Sequence, residues 1–137
     1  MLSLEIPRDI FDLMIEQARA EAPIEACGIL AGEAPRVRRL YRMTNADRSG
    51  DHFMMEPAEQ FQVAKEIRAA GLQMLAIYHS YPQTPARPSA EDIRLALTPG
   101  VIHVIVSLHG PGHPLMKAFD IDNGRASEIE SKIIEVR

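Results

Sequence analysis

The chain has 137 residues, of which 46% are hydrophobic and 25% charged, and its formal net charge is −4 at pH 7. Because this length and composition are typical of one globular domain, we expect residues 1–137 to form a single domain. The negative charge and the absence of tryptophan argue against a general nucleic-acid-binding or anionic-membrane-binding protein. The single cysteine excludes an intramolecular disulfide.

The N-terminal segment MLSLEIPRD has no basic region followed by an apolar stretch, which argues against a signal peptide. The longest apolar runs of the chain are too short to cross a bilayer. We therefore expect a cytoplasmic protein, a monomer or a homodimer, with no membrane partner and no nucleic-acid partner.

Apolar residues at helical spacing predict two helices, over residues 7–22 and 57–70. Each begins at a proline, which the first turn of a helix tolerates because its backbone N–H is not needed there. A third, short helix is predicted over residues 89–97, after a loop at residues 81–88 that contains three prolines.

Short apolar or alternating runs predict strands. They cover residues 27–32, 36–43, 72–80 and 101–108, with a brief strand at 52–55. Residues 115–121 and the last stretch of the chain are predicted to form a hairpin around Asp122-Asn123-Gly124. The order of elements predicts an α/β or α+β fold with a mixed central β-sheet flanked by helices, and residues 72–80 as its central strand.

Polar residues that could form a catalytic centre lie at the end of this central strand and elsewhere along the chain. His79 and Tyr81 are two residues apart, so their side chains leave the same face of the strand. With Asp92, in the first turn of the next helix, they would supply three ligands and leave a fourth position open for water, as in catalytic zinc sites. Glu25 and Ser89 are available as general base and as oxyanion donor.

Each of these residues also has an ordinary structural interpretation. Ser89 and Asp92 match the start of a helix, with Ser89 as its N-cap. His79 could be a hydrogen-bonded structural histidine and Tyr81 a half-buried anchor. A glutamate placed before a strand, as Glu25 is, is usually solvated. The combined spacing of all five residues favours the catalytic interpretation.

This spacing resembles the signature of the JAMM (MPN+) metalloproteases: an upstream Glu, then His-Ser/Thr-His-Pro, then Ser and Asp at fixed distances. Six residues fall on matching positions: Glu25, His79, Ser80, Pro82, Ser89 and Asp92. The resemblance implies the cytidine-deaminase-like JAMM/MPN fold in one domain. It also implies zinc held by His79 and Asp92, Glu25 as general base and Ser89 as the residue that stabilises the oxyanion.

The chain departs from the signature at Tyr81, which stands in place of the second histidine. A phenol has a pKa of about 10 and reaches farther than an imidazole, so we expect weaker zinc binding, with Tyr81 as a candidate third ligand. By resemblance, small domains of this kind are metallopeptidases or isopeptidases that act at the C-terminal Gly-Gly of ubiquitin-like or sulfur-carrier proteins. The alternative is a non-catalytic MPN-like protein-binding module that has lost the metal through the change at Tyr81.

Other groupings carry less weight. A cysteine hydrolase that uses Cys27 with His79 is disfavoured, because a lone cysteine in an apolar strand is usually an inert hydrophobic residue. His109 and His113 flank a Gly-Pro-Gly segment that predicts a turn before it predicts a ligand pair. His103 lies within an apolar strand, which predicts a histidine of the core.

Overall fold

The structure, a computed structural model, describes residues 3–49, 53–81, 101–108, 114–122 and 124–135. The elements in these ranges are β1 (Ser3–Pro7), α1 (Arg8–Glu21), β2 (Cys27–Glu33), β3 (Arg36–Met43), α2 (Pro57–Ala69), β4 (Gln73–Tyr81), β5 (Ile102–Ser107), β6 (Leu115–Asp122) and β7 (Arg125–Ile134). The helix predicted at residues 89–97 lies outside the described residues, and so do His109 and His113. Ser89 and Asp92 lie outside them as well.

The strands form one mixed sheet that closes into a barrel in the order β1-β3-β2-β4-β5-β6-β7. The pairs β1–β3, β1–β7 and β4–β5 are parallel, and the other pairs are antiparallel. β4 pairs with β2 on one side and with β5 on the other, so it is a strand and not an exposed edge, as predicted, although in a closed barrel every strand has two neighbours. The predicted mixed α+β architecture is confirmed as well.

The helix α1 covers one face of the sheet and follows its predicted range closely. Its buried side chains recur at helical spacing, and they include Ile10, Phe11, Met14, Ile15 and Ala18. They belong to the largest core cluster, which also contains Leu30 of β2, Tyr78 of β4 and Val104 of β5. The even-numbered positions at the end of β4 therefore face α1.

The helix α2 covers part of the opposite face. Val63 and Ile67 pack there against Cys27 and Ile29 of β2. Successive side chains of a strand point to opposite faces. The odd-numbered side chains of β2 therefore face α2, whereas the even-numbered ones face α1. The α2 N-terminus is capped by Glu56, whose carboxylate accepts a hydrogen bond from the Glu59 N–H at 3.0 Å. Among the described residues, no helix is long and apolar enough to span a membrane.

A buried polar contact joins α1 to the two strands that carry the candidate site. Gln17 of α1 donates through Nε2 to the Cys27 carbonyl at 3.0 Å, and it accepts a hydrogen bond from the Tyr78 hydroxyl. Burial raises the pKa of Tyr78, so its hydroxyl stays protonated and can donate. Gly28 is required beside this ring, because a Cβ at that position would lie 2.3 Å from Tyr78 Cε1.

Three features of the chain differ from the sequence prediction. The strand β1 was not predicted, because it is defined by parallel pairing with β7, more than a hundred residues away, and leaves no strong local pattern. Tyr81 was assigned to the proline-rich loop, but it is the last residue of β4 and pairs with Ser107. In place of the brief strand at 52–55, the described part of this segment forms an isolated bridge between Met55 and Asn45.

We predict that Tyr78→Phe lowers the free energy of unfolding by about 1–3 kcal/mol, because it leaves the buried Gln17 carbonyl oxygen without its donor. Tyr41→Phe is the matched control: the Tyr41 hydroxyl is buried and has no hydrogen-bond partner among the described residues, so its removal should cost little. Urea denaturation of both variants measures the difference. Equal losses would show that the contact between α1 and β4 adds nothing to stability.

Candidate active site

The candidate site lies where β2 begins and β4 ends. The antiparallel register pairs Cys27 with His79. One residue further, the Ser80 N–H donates to the Ala26 carbonyl at 2.9 Å, and the Ala26 N–H donates to Ser80 Oγ at 2.8 Å. The Ser80 hydroxyl thus holds the chain next to Glu25 against β4, which gives a structural reason for a hydroxyl residue after His79.

This register brings three of the five predicted site residues together. The backbone of Glu25 reaches the end of β4 because Glu25 directly precedes Ala26, which is hydrogen-bonded to Ser80. Because side chains alternate along a strand, His79 and Tyr81 leave the same face, the face that α2 partly covers. Their ring centroids lie 5.2 Å apart. Ser89 and Asp92, the other two predicted residues, are not among the described residues.

The side chains of this group are buried. Glu25 and His79 are each 1% exposed, and Tyr81 is 7% exposed. The ordinary interpretation of Glu25 as a solvated surface residue is therefore wrong. Moving a carboxylate out of water is costly unless its partners compensate, and such carboxylates are concentrated at functional sites.

The imidazole of His79 contacts two aromatic rings. Phe53 stacks on it, with ring centroids 4.6 Å apart and an interplanar angle of 26°. Tyr81 contacts it on a tilt of 54°. The two contacts fix the plane of the imidazole before any ligand binds.

The ring of Tyr81 packs in a small apolar cluster with Ile105 of β5 and with Phe119 and Ile121 of β6. These contacts give the ring an anchoring role, whether or not its oxygen binds a metal. They also limit how far the ring can move toward an ion, which is consistent with the expectation of weaker binding than at a histidine.

The donors in this group are of a kind that zinc accepts. Catalytic zinc is held by nitrogen and oxygen ligands, and His79 and Tyr81 offer one of each. Within the described ranges, no cluster of three or more His, Cys, Asp or Glu side chains could hold a metal. The third protein ligand predicted from the sequence is Asp92, and the chemistry of the set fits zinc if Asp92 completes it.

Sequence reasoning missed two residues that shape this group. Phe53, which stacks on His79, lies in a segment that was predicted only as a brief strand. Asn45 is buried at 2% exposure, and its Nδ2 donates to the Glu25 carbonyl at 3.1 Å. Its signal in the sequence was that of an ordinary turn residue, which gives no indication of the contact with Glu25.

The geometry also argues against Cys27 as a nucleophile. Its side chain is fully buried and packs against Ile29 and Met43. Burial, together with the nearby carboxylates Glu21, Glu59 and Glu25, raises the pKa of the thiol to about 12. A thiol with this pKa is uncharged at neutral pH, and the thiolate is the form that attacks.

Over residues 7–122, the sequence matches the family described as prokaryotic homologs of the JAB domain. The chain belongs to this family. It is 34% identical over 134 residues to the CysO-cysteine peptidase of Mycobacterium tuberculosis, an alignment that covers 96% of this chain and 92% of that protein. It is 32% identical over 114 residues to the desampylase of Haloferax volcanii, covering 78% of this chain and 82% of that one.

Solved structures agree with this membership. A solution structure of a protein from Desulfitobacterium hafniense is similar with a TM-score of 0.89 and 39% identity, covering 97% of this chain and 94% of that one. A JAB1/MPN domain protein from Archaeoglobus fulgidus is similar with a TM-score of 0.63 and 23% identity, over 95% of this chain and 98% of that one. The second similarity concerns the fold alone, and the expected JAMM/MPN fold is confirmed.

We predict that Cys27 does not react with a thiol reagent such as DTNB in the folded protein at about pH 8, because the thiol is buried and its pKa of about 12 keeps it protonated. After unfolding in guanidinium, one thiol per chain should react. As a control, the double variant Cys27→Ala/Glu128→Cys carries its thiol at an exposed position of β7 and should react when folded. Rapid labelling of Cys27 in the folded wild type would restore it as a candidate nucleophile.

Proposed function

We propose that this protein is a zinc-dependent JAMM-type metallopeptidase or isopeptidase. The single observation that carries the proposal is the burial of Glu25 directly before Ala26, the residue that is hydrogen-bonded to Ser80 next to His79. A fold does not need a buried carboxylate next to an imidazole, whereas a hydrolase needs a base close to the position where water attacks. The peptidase and desampylase names of the relatives support the same class of reaction.

We assign His79 and Asp92 as the protein ligands of zinc and Tyr81 as the candidate third ligand. When bound, zinc would supply a Lewis acid that polarises the scissile carbonyl and makes water more acidic. Phe53 holds the plane of the His79 imidazole and shields that face of the ring from water. The residue set therefore provides both the donors and a preorganised environment for them.

We assign the proton transfers to Glu25. Its carboxylate would accept a proton from the attacking water and deliver it to the nitrogen of the departing amine. Ser89 would donate a hydrogen bond to the oxyanion that develops on the carbonyl. Because Glu25 is held out of bulk water, its interactions with the reacting atoms are stronger than they would be at an exposed position.

We propose that the substrates are ubiquitin-like or sulfur-carrier proteins, cleaved at their C-terminal region. The argument rests on the relatives, which are named as a CysO-cysteine peptidase and as a desampylase. A non-catalytic binding module with the same fold is the competing function, and Tyr81 is the residue that favours it. The two functions differ in whether zinc binds and whether a peptide bond is cleaved.

We predict that Tyr81→His raises zinc affinity by about 10-fold or more, because an imidazole replaces a neutral phenol and even outer-shell changes alter affinity by about 10–100-fold. Isothermal titration of the metal-free protein measures the change. Tyr41→His is the matched control: Tyr41 packs against the cluster under α2, so a histidine there should leave zinc affinity unchanged. If Tyr81→His neither binds zinc more tightly nor cleaves a substrate, the proposed enzymatic function is wrong.

We predict that Glu25→Gln lowers cleavage of a Gly-Gly-terminated ubiquitin-like precursor by about 100- to 10,000-fold and leaves zinc bound, because the amide cannot act as a base. Cleavage is followed by mass spectrometry, in the wild-type chain and in the Tyr81→His variant. Glu21→Gln, a neighbouring carboxylate near the end of α1, is the control and should keep full activity. Retained activity in Glu25→Gln would remove Glu25 from the mechanism.

A further inference from the structure

The side chain of Asn45 donates and accepts hydrogen bonds at the same time. It is 2% exposed, and its Nδ2 donates to the carbonyls of Glu25 at 3.1 Å and Ser49 at 3.3 Å. Its Oδ1 accepts from the N–H groups of Asp47 and Met54, both at 3.1 Å. An amide side chain has two donors and two acceptor sites, and these four bonds engage both its nitrogen and its oxygen.

The donor half of this side chain fixes the backbone at Glu25. The Ser49 carbonyl accepts from the Glu25 N–H at 2.7 Å, and the same carbonyl accepts from Asn45 Nδ2. The N–H and the C=O of Glu25 are thus both bound to the segment 45–49. On the other side, Ser80 holds Ala26, so Glu25 is held from two directions.

The acceptor half fixes the segment that carries Phe53. Asn45 Oδ1 binds the N–H of Met54, the residue after Phe53. The Met54 carbonyl in turn accepts from the Ala46 N–H at 2.7 Å. Since the Phe53 ring stacks on His79, one side chain connects the backbone of the proposed base to the aromatic support of the proposed zinc ligand.

A turn alone does not require this arrangement. The bond from the Asp47 N–H to Asn45 Oδ1 is an Asx turn, which exposed asparagines form equally well. The bonds to Glu25 and to Met54 reach other segments and demand a buried side chain that both donates and accepts. Alanine and an ionised aspartate cannot supply that combination, and a serine hydroxyl has only one O–H to donate where Asn45 donates to two carbonyls.

We propose that Asn45 is a positioning residue, which holds Glu25 and the Phe53–His79 stack in the arrangement that catalysis requires. The proposal rests on the proposed function. Asn45 touches neither the substrate nor the metal in this account, and it acts through the backbone of Glu25 and through Phe53. Residues that orient a ligand or a base in this way typically contribute about 10–100-fold to metal affinity or activity.

The test uses two variants of Asn45 and one control. Asn45→Ala removes all four bonds, whereas Asn45→Asp retains the two accepted ones and loses the two donated ones, to Glu25 and Ser49. Thr44→Val is the control on the neighbouring residue: it removes the hydrogen bond from the Thr44 hydroxyl to Glu59 at 2.7 Å and does not touch Glu25. Urea denaturation of the three variants gives their stabilities.

For the zinc-loaded protein, we expect kcat on the Gly-Gly-terminated precursor to fall by about 10–100-fold in both Asn45 variants, with KM unchanged. Thr44→Val should keep its kcat. Zinc affinity gives a second readout: it should fall in Asn45→Ala, which releases the Phe53 segment, and be retained in Asn45→Asp. Hydrogen exchange of the metal-free protein should show faster exchange at the Met54 amide in Asn45→Ala only, and at the Glu25 amide in both variants.

The outcomes separate the two proposals. If the wild type cleaves and kcat is unchanged in both Asn45 variants, the role of Asn45 is overturned but the proposed function is not. An equal loss of kcat in Thr44→Val has the same consequence. A loss of kcat that occurs only in Asn45→Asp is caused by the new charge, and it also overturns the proposed role of Asn45. If Asn45→Ala does not fold, Asn45→Asp is judged on two measurements: a lower kcat with faster exchange at the Glu25 amide and retained zinc affinity supports the role, and any other result overturns it. If neither the wild type nor Tyr81→His binds zinc or cleaves, the proposed function is wrong, and a catalytic role for Asn45 is excluded with it.

Discussion

The arrangement of the site depends on keeping the carboxylate of Glu25 out of water where β2 meets β4. The pairing of Ala26 with Ser80 brings the chain to this point, and the Ser80 hydroxyl supplies an additional bond to the backbone next to Glu25. Burial of a carboxylate disfavours the folded state unless neighbouring groups compensate. The two strands and the segment around Asn45 together provide the rigid frame that such a buried group requires.

One face of the sheet forms the main core, and the other carries the candidate site. Toward α1, Tyr78 and Gln17 form part of a closed core that holds β2 and β4 in register. Toward α2, the odd-numbered residues at the end of β4, His79 and Tyr81, are the proposed zinc ligands. Because successive side chains of one strand serve both faces, a shift of register by one residue would exchange the core with the site. The Gly28–Tyr78 contact, which leaves no space for a Cβ, opposes such a shift.

Much of this could be predicted from the sequence where the signal is local. The helices α1 and α2, the strand β4 and the final hairpin follow from spacing, prolines and a turn, and the fixed spacing of the motif indicated the family. The strand β1 could not be predicted, because its pairing with β7 is remote in sequence. Asn45 and Phe53 were missed for a related reason: their roles arise from contacts across segments. The burial of Glu25 could not be predicted either, because glutamate is usually exposed to solvent.

Two demands act on Tyr81: its ring packs in an apolar cluster, and its oxygen is the candidate zinc ligand. The packing restricts how far the oxygen can move toward a metal. The central claim is that zinc binds through His79, and metal analysis of the purified protein tests it most directly. After incubation with zinc and desalting, the wild type should retain about one zinc per chain, and His79→Ala should retain almost none, because the imidazole is the strongest donor of the proposed set. A wild type without zinc, or zinc retained equally in His79→Ala, would contradict the account.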